Sequence, residues 1–285
     1  MRKQETKEKN LIGKKSVISD KDILSGLMND KGTSLFLGKY ALNEVLVVMR
    51  KRNFLAEAQK RHLWPLDFTL DSSEFPLQKL RIYYGSQKPE NLIVDLKIRE
   101  GRFQIKNKLG LGFLRPEYDF LILEWLTLQN PLLNFDQKRT PLPGQEHPGL
   151  SLGKKVLDIF VYLARLTRKD GLLASPAYFH NALLFSRCFH FINPAKEAEV
   201  QAIRKSFPHV SFKELAWVVH LNCLRWQGNK VYEWEAEEEV YALDKSLKKY
   251  FDSSQYKDKM KESEKNHHFT IDWECYKKKI VNSEK

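Results

Sequence analysis

Between His147 and Leu157 the chain reads HPGLSLGKKVL, a glycine-bearing loop running into an amphipathic helix. The first turn of a helix leaves its backbone N–H groups without intrahelical partners, and with the helix dipole they make an anion site. Gly149 and Gly153 present no side chain, so a phosphate can approach the backbone around Leu150 and Leu152. Ser151 is expected to cap the helix, and Lys154 and Lys155 place charge where a diphosphate would lie. The other reading of the same letters is an ordinary Gly/Pro loop entering a helix. Neither the G-x-x-x-x-G-K-S/T loop nor the G-x-G-x-x-G fingerprint is present. Glu124 is the single charge within the apolar run FLILEWLTL. Such a carboxyl either has a raised pKa and can accept a proton, or pairs with an Arg or Lys at a strand end. His147, His180 and Cys188 lack metal-ligand spacing, no Ser/His/Asp set is defined, and no metal is expected. Cys188, beside aromatic residues, is expected to be buried packing.

These residues need elements to hold them. Tyr40 to about His62 carries apolar residues at helical spacing, and a short helix is permitted over Asp22 to Met28. Leu66–Leu70, Lys79–Tyr84 and Leu92–Ile98 read as strands, and Glu100-Gly101 is expected to turn the chain so that 92–106 forms a hairpin. Phe120–Leu128, apolar on both faces, predicts a central strand. A helix is expected from about Leu152 to Lys169, followed by a short buried strand at Leu172–Ala174. Ala177–Ser186 begins another helix, and KEAEVQAIRK a polar one. Leu215–Trp226 and Val231–Trp234 flank the turn QGNK and read as a second hairpin, with a helical reading of the first segment left open. Trp217, Trp226 and Trp234 then suit core or groove packing better than a platform for stacked bases. The order of elements predicts an α+β (mixed α/β) fold. It divides into a basic leader at 1–22, an α/β domain at 23–243 with an N-terminal helical part, and a Lys-rich, helical or disordered extension at 244–285.

The 285 residues carry a formal charge of +12, spread along the chain and concentrated partly in two tails where Lys alternates with Glu and Asp. Such charge attracts anionic ligands and partners without choosing among them. No recognised nucleic-acid motif accompanies it. No apolar run of about 18 residues exists, so no membrane partner is expected. Three dispersed cysteines and the basic N-terminus predict a reducing, cytoplasmic setting.

A meander of strands, the central strand FLILEWLTL, the loop HPGLSLGKKVL, a helix, the short strand GLLAS and a helix bearing HNALLFSRCFHF together resemble the GNAT superfamily of N-acyltransferases. The likeness covers about residues 78–235 and implies a GNAT-like, mostly antiparallel sheet with flanking helices. It implies acetyl-CoA or another acyl-CoA as co-substrate and an amine as acceptor. The diphosphate would lie on Gly149, Leu150, Ser151, Leu152, Gly153, Lys154 and Lys155, and the pantetheine arm along Leu126 to Leu128. Setting the family's loop motif to end on Gly153 puts Ser151 at its first glycine and Pro148 at its Gln/Arg position. Glu124 is then the candidate base, and Asn181 the helix asparagine that contacts the cofactor. The family's thiol-protonating tyrosine falls on Phe185, with Tyr178 as a substitute. The resemblance is also consistent with a catalytically degenerate binding module of the same fold.

Overall fold

The computed structural model describes residues 35–283, apart from 107–108, 138 and 228. The leader and the helix expected over 22–28 lie outside the described residues. Helix α1, Leu42–Lys51, buries Leu42, Val45, Leu46 and Met49. The Glu44 side chain accepts a hydrogen bond from the Ala41 N–H at 2.8 Å, which fixes the helix start. The single helix expected to about His62 is two. Asn53 takes a left-handed conformation, φ 59°, which asparagine tolerates, and α2 begins at Phe54 and runs to Lys60.

Four strands follow as an antiparallel meander: β1 Leu66–Glu74, β2 Leu77–Tyr84, β3 Leu92–Gln104 and β4 Glu117–Leu128. The turn expected at Glu100-Gly101 is absent. β3 continues through Gly101, which pairs with Phe120, because β4 supplies a partner over its full length. A Cβ on Gly101 would come within 2.8 Å of the Ile122 side chain, so glycine here permits close packing. The β3–β4 register slips between Lys97↔Trp125 and Ile98↔Leu123, leaving Glu124 as the extra residue of a bulge.

Helix α3, Gly153–Leu166, crosses over to β5, Gly171–Ala174, which lies parallel to β4. After α4 (Phe179–Phe185) come β6 (His190–Phe191), α5 (Pro194–Ser206) and α6 (Phe212–His220). The reading of Leu215–Trp226 as a strand is corrected in part. The Ser211 hydroxyl caps α6 by accepting the Glu214 N–H, and Leu215, Ala216, Val218 and Val219 bury the helix on several sides. The hairpin is confined to β7 (Leu224–Trp226) and β8 (Lys230–Val231), so Trp234 lies beyond the second strand. β9 (Glu239–Ala242) then inserts between β5 and β6, completing a seven-stranded sheet in the order β1-β2-β3-β4-β5-β9-β6. Among the described residues, only the β4–β5 pair is parallel.

The last segment holds α7 (Lys245–Asp252), α8 (Ser254–Glu264), β10 (Phe269–Ile271) and α9 (Trp273–Ser283), with β10 pairing with β7. The fold is therefore α+β, as the order of elements predicts, with a mostly antiparallel sheet and flanking helices. One core lies among α1, α2, α3 and the sheet, including Leu96, Leu121, Phe160 and Leu172. A second joins Tyr118, Phe120 and Leu173 to Leu247, Tyr250 and Tyr256 of α7 and α8. A third gathers Phe179, Ile203, Val218, Leu224 and Phe269.

Candidate functional site

Past the end of β4 the chain doubles back on itself. The Asn130 N–H donates to Pro148 O at 2.7 Å, Gln129 bridges Gly149, and the Leu150 N–H donates to Leu128 O at 3.3 Å. Buried Leu150 and Leu152 anchor the loop, while Ser151 between them is exposed with φ 57°. Ser151 does not cap α3. The cap position falls on Leu152, which makes no side-chain bond, and the first helical hydrogen bond runs from Val156 N–H to Leu152 O at 3.0 Å. The amides of Ser151, Leu152, Gly153, Lys154 and Lys155 thus have no acceptor among the described residues. A Cβ on Gly153 would meet nothing within 4 Å, so the space before the helix is open.

An arginine that sequence reading missed braces this loop. Arg61 donates through Nε to Leu150 O at 3.1 Å and pairs with Glu57 at 2.6 Å. Lys155 lies 3.8 Å from the same carboxylate. The Arg61 hydrogen bond, helped by Lys60, holds the Glu57 carboxyl below its usual range. Arg61, Lys154 and Lys155 outnumber Glu57, leaving the loop electropositive. The spacing from Glu57 to Arg61 signals a helical ion pair, but nothing local signals a contact 89 residues away.

β5 pairs with β4 only from Phe120↔Gly171 to Leu123↔Ala174. β5 then stops at Ser175-Pro176, while β4 continues to Leu128. On that side the Glu124–Thr127 edge faces no strand among the described residues. Glu124 itself is not the isolated carboxyl that its apolar neighbours suggest. The bulge turns it outward, its side chain is 40% exposed, and Arg99 Nε lies 2.6 Å from Oε1. Leu126 and Leu128, expected along the cofactor arm, instead turn their side chains into the first core; what they leave open is backbone.

Beside this edge lies a cavity of ≈ 460 Å³, whose lining includes Trp125, Tyr178, His180, His220, Glu233 and Trp234. Tyr178 stands at the α4 cap position, and its hydroxyl packs over Gly144, where a Cβ would collide with it. That hydroxyl has no hydrogen-bond partner among the described residues. His180 stacks on Tyr178 at 5.3 Å and is 4% exposed. Neither of its ring nitrogens has a hydrogen-bond partner among the described residues, and Nδ1 is fully buried. Burial, with His220 adding repulsion, pushes its pKa down to about 4, so the ring is neutral near pH 7. Burial likewise lowers His220.

The remaining expectations divide. Asn181 is half-buried on α4, with its side-chain amide unpartnered among the described residues. Phe185 packs edge-on against Phe189 at 6.0 Å. Cys188 is exposed rather than packed, because α4 ends before it. Trp217, Trp226 and Trp234 sit on a helix, a strand and a loop, and form no single platform. No group of His, Cys, Asp and Glu among the described residues suits a metal ion, and none of their helices is long and apolar enough to cross a membrane. No protein-family model and no curated protein sequence matches the chain.

Proposed function

We propose that this chain binds an acyl-CoA in the manner of the GNAT superfamily and passes an acetyl or other acyl group to an amine. One observation carries the reading: a parallel strand pair parts beyond Leu123 and Ala174, next to a helix start with uncommitted amides at Ser151 to Lys155. The diphosphate would take those amides, with Lys154, Lys155 and Arg61 balancing its charge. The two amide groups of a pantetheine arm suit the unpaired edge of Glu124–Thr127, as an extended peptide suits a free strand. The thioester would then point toward the cavity. There the amine nitrogen bonds to the acyl carbon as the C–S bond breaks. The amine gives up a proton and the departing thiolate takes one, for which the free Tyr178 hydroxyl is the nearest candidate. Glu124 serves as base only by exchanging its Arg99 partner.

A second reading, an inactive binder of the same ligand, is favoured by that ion pair and by Phe185, which has no proton to give. Acetyl-CoA at about 100 times its Kd should stabilise the fold by about 2.7 kcal/mol and raise the melting temperature. Gly153→Val, whose Cβ meets nothing within 4 Å, should melt normally and lose that rise. If neither acetyl-CoA nor CoA moves the melt, and duplex or single-stranded DNA does so in a salt-sensitive way, the cofactor reading falls and a nucleic-acid role replaces it. Thiol release with a panel of amines separates enzyme from binder.

A further inference from the structure

We propose that the cavity beside Trp125 is an acceptor subsite for a small monoamine with an aromatic or apolar body, in preference to a polyamine or a protein lysine. The reaction it would feed rests on the acyl-transfer reading above; the binding does not. At ≈ 460 Å³ the cavity suits a small organic molecule, in the range of about 300–1,000 Å³ usual for such sites. Its walls supply apolar and aromatic surface. Ala216 and Val219 come from α6, and Trp125 is 42% exposed, with no ring–ring or cation–π contact to its indole among the described residues. Trp234 is a wall already in use. Its Nε1 donates to Pro176 O at 3.0 Å, and Lys196 Nζ sits 4.3 Å over its ring. Trp125 therefore offers an exposed indole where a ring can stack or an ammonium can rest.

The polar lining fixes the charge of the ligand. One carboxylate, Glu233, lines the cavity, and the two histidines there are held toward neutrality by burial. A single ammonium is matched by a single carboxylate, whereas a polyamine would bring further cations to an aromatic wall. His180 supplies the second point of recognition. Among the described residues no hydrogen bond reaches this buried side chain, which is uncommon in a folded chain, and Nε2, the ring nitrogen that is not sealed off, can accept a ligand N–H. A cavity of bounded volume, one exposed indole and one exposed carboxylate together describe a small amine with an apolar body.

Calorimetric titration of the full chain without CoA tests this, using 2-phenylethylamine, 2-phenylethanol, spermidine and Nα-acetyl-lysine amide. 2-Phenylethylamine should bind about tenfold or more tightly than spermidine or the lysine amide. Trp125→Ala and His180→Phe should each weaken it about tenfold, with melting curves confirming that both variants fold. Glu233→Gln should weaken 2-phenylethylamine and leave 2-phenylethanol unchanged. Tighter binding of spermidine or lysine amide, absence of binding, or affinities unmoved by Trp125→Ala and His180→Phe would each overturn the inference. Amine binding without any response to acetyl-CoA would sink the acyl-transfer reading and leave the subsite standing. A CoA-dependent melt shift with no amine binding would do the reverse.

Discussion

Glu239 and His180 are both buried, and burial shifts their titrations in opposite directions. Glu239 is buried on β9, and desolvation, with Glu197 adding repulsion, pushes its pKa up to about 8 from an ordinary 4.5. Its neutral form belongs to the fold, so its stabilisation is complete below pH 4.5 and is lost as pH rises through 8. Glu239→Gln should accordingly raise the melting temperature at pH 8.5 more than at pH 5, by a few degrees; about 2–4 °C corresponds to each kcal/mol in a chain of this size. An equal gain at both values would show that the carboxyl is not held neutral. His180 has the opposite sign. Its pKa falls from 6.5 to about 4, so its contribution is complete above pH 6.5 and disappears as pH falls through 4. Between pH 7 and pH 4 the melting temperature of His180→Phe should fall less than that of the native chain. Both side chains are plain letters in the sequence. Their burial depends on β5, β9 and α6 closing around them, which no local pattern records.

At the scale of elements, apolar runs and turn residues marked most strands, and the failures have specific causes. Glu100-Gly101 reads as a turn, yet Gly101 sits in mid-strand because glycine there lets the Ile122 side chain approach. Leu215–Val219 is apolar enough for a strand, but the Ser211 cap and burial on several sides make it helical. The short β5 is the element that matters most to the site, since its end at Ala174 opens the edge of β4. Gly171 is essential to its placement: an added Cβ would collide with the Tyr241 carbonyl of β9. Gly171→Ala should therefore destabilise the chain by about 1–3 kcal/mol, read by denaturant melts, because the backbone of β9 must shift. A neutral effect would mean that β5 and β9 are not held in this register.

For the whole molecule, the C-terminal segment is part of the structure and not an ornament. Leu247, Tyr250, Phe251 and Tyr256 complete a core against Tyr118, Phe120 and Val240 of the sheet. Ending the chain after Leu243 should expose that surface, seen as strong binding of a hydrophobic dye and loss of a cooperative melt; a cooperative fold with little dye binding would contradict the packing. By itself the sequence determined the α+β class, the central strand, the glycine loop entering a helix and the basic charge around it, because each is written in periodicity, propensity or composition over a few neighbouring residues. Only the tertiary structure decided that Glu124 is paired with Arg99, that Arg61 braces Leu150, and that Tyr178, His180, His220 and Trp125 line one cavity. Those relations join residues tens of positions apart. They exist only after the strands have paired and the helices have packed, so no local signal in the chain can carry them.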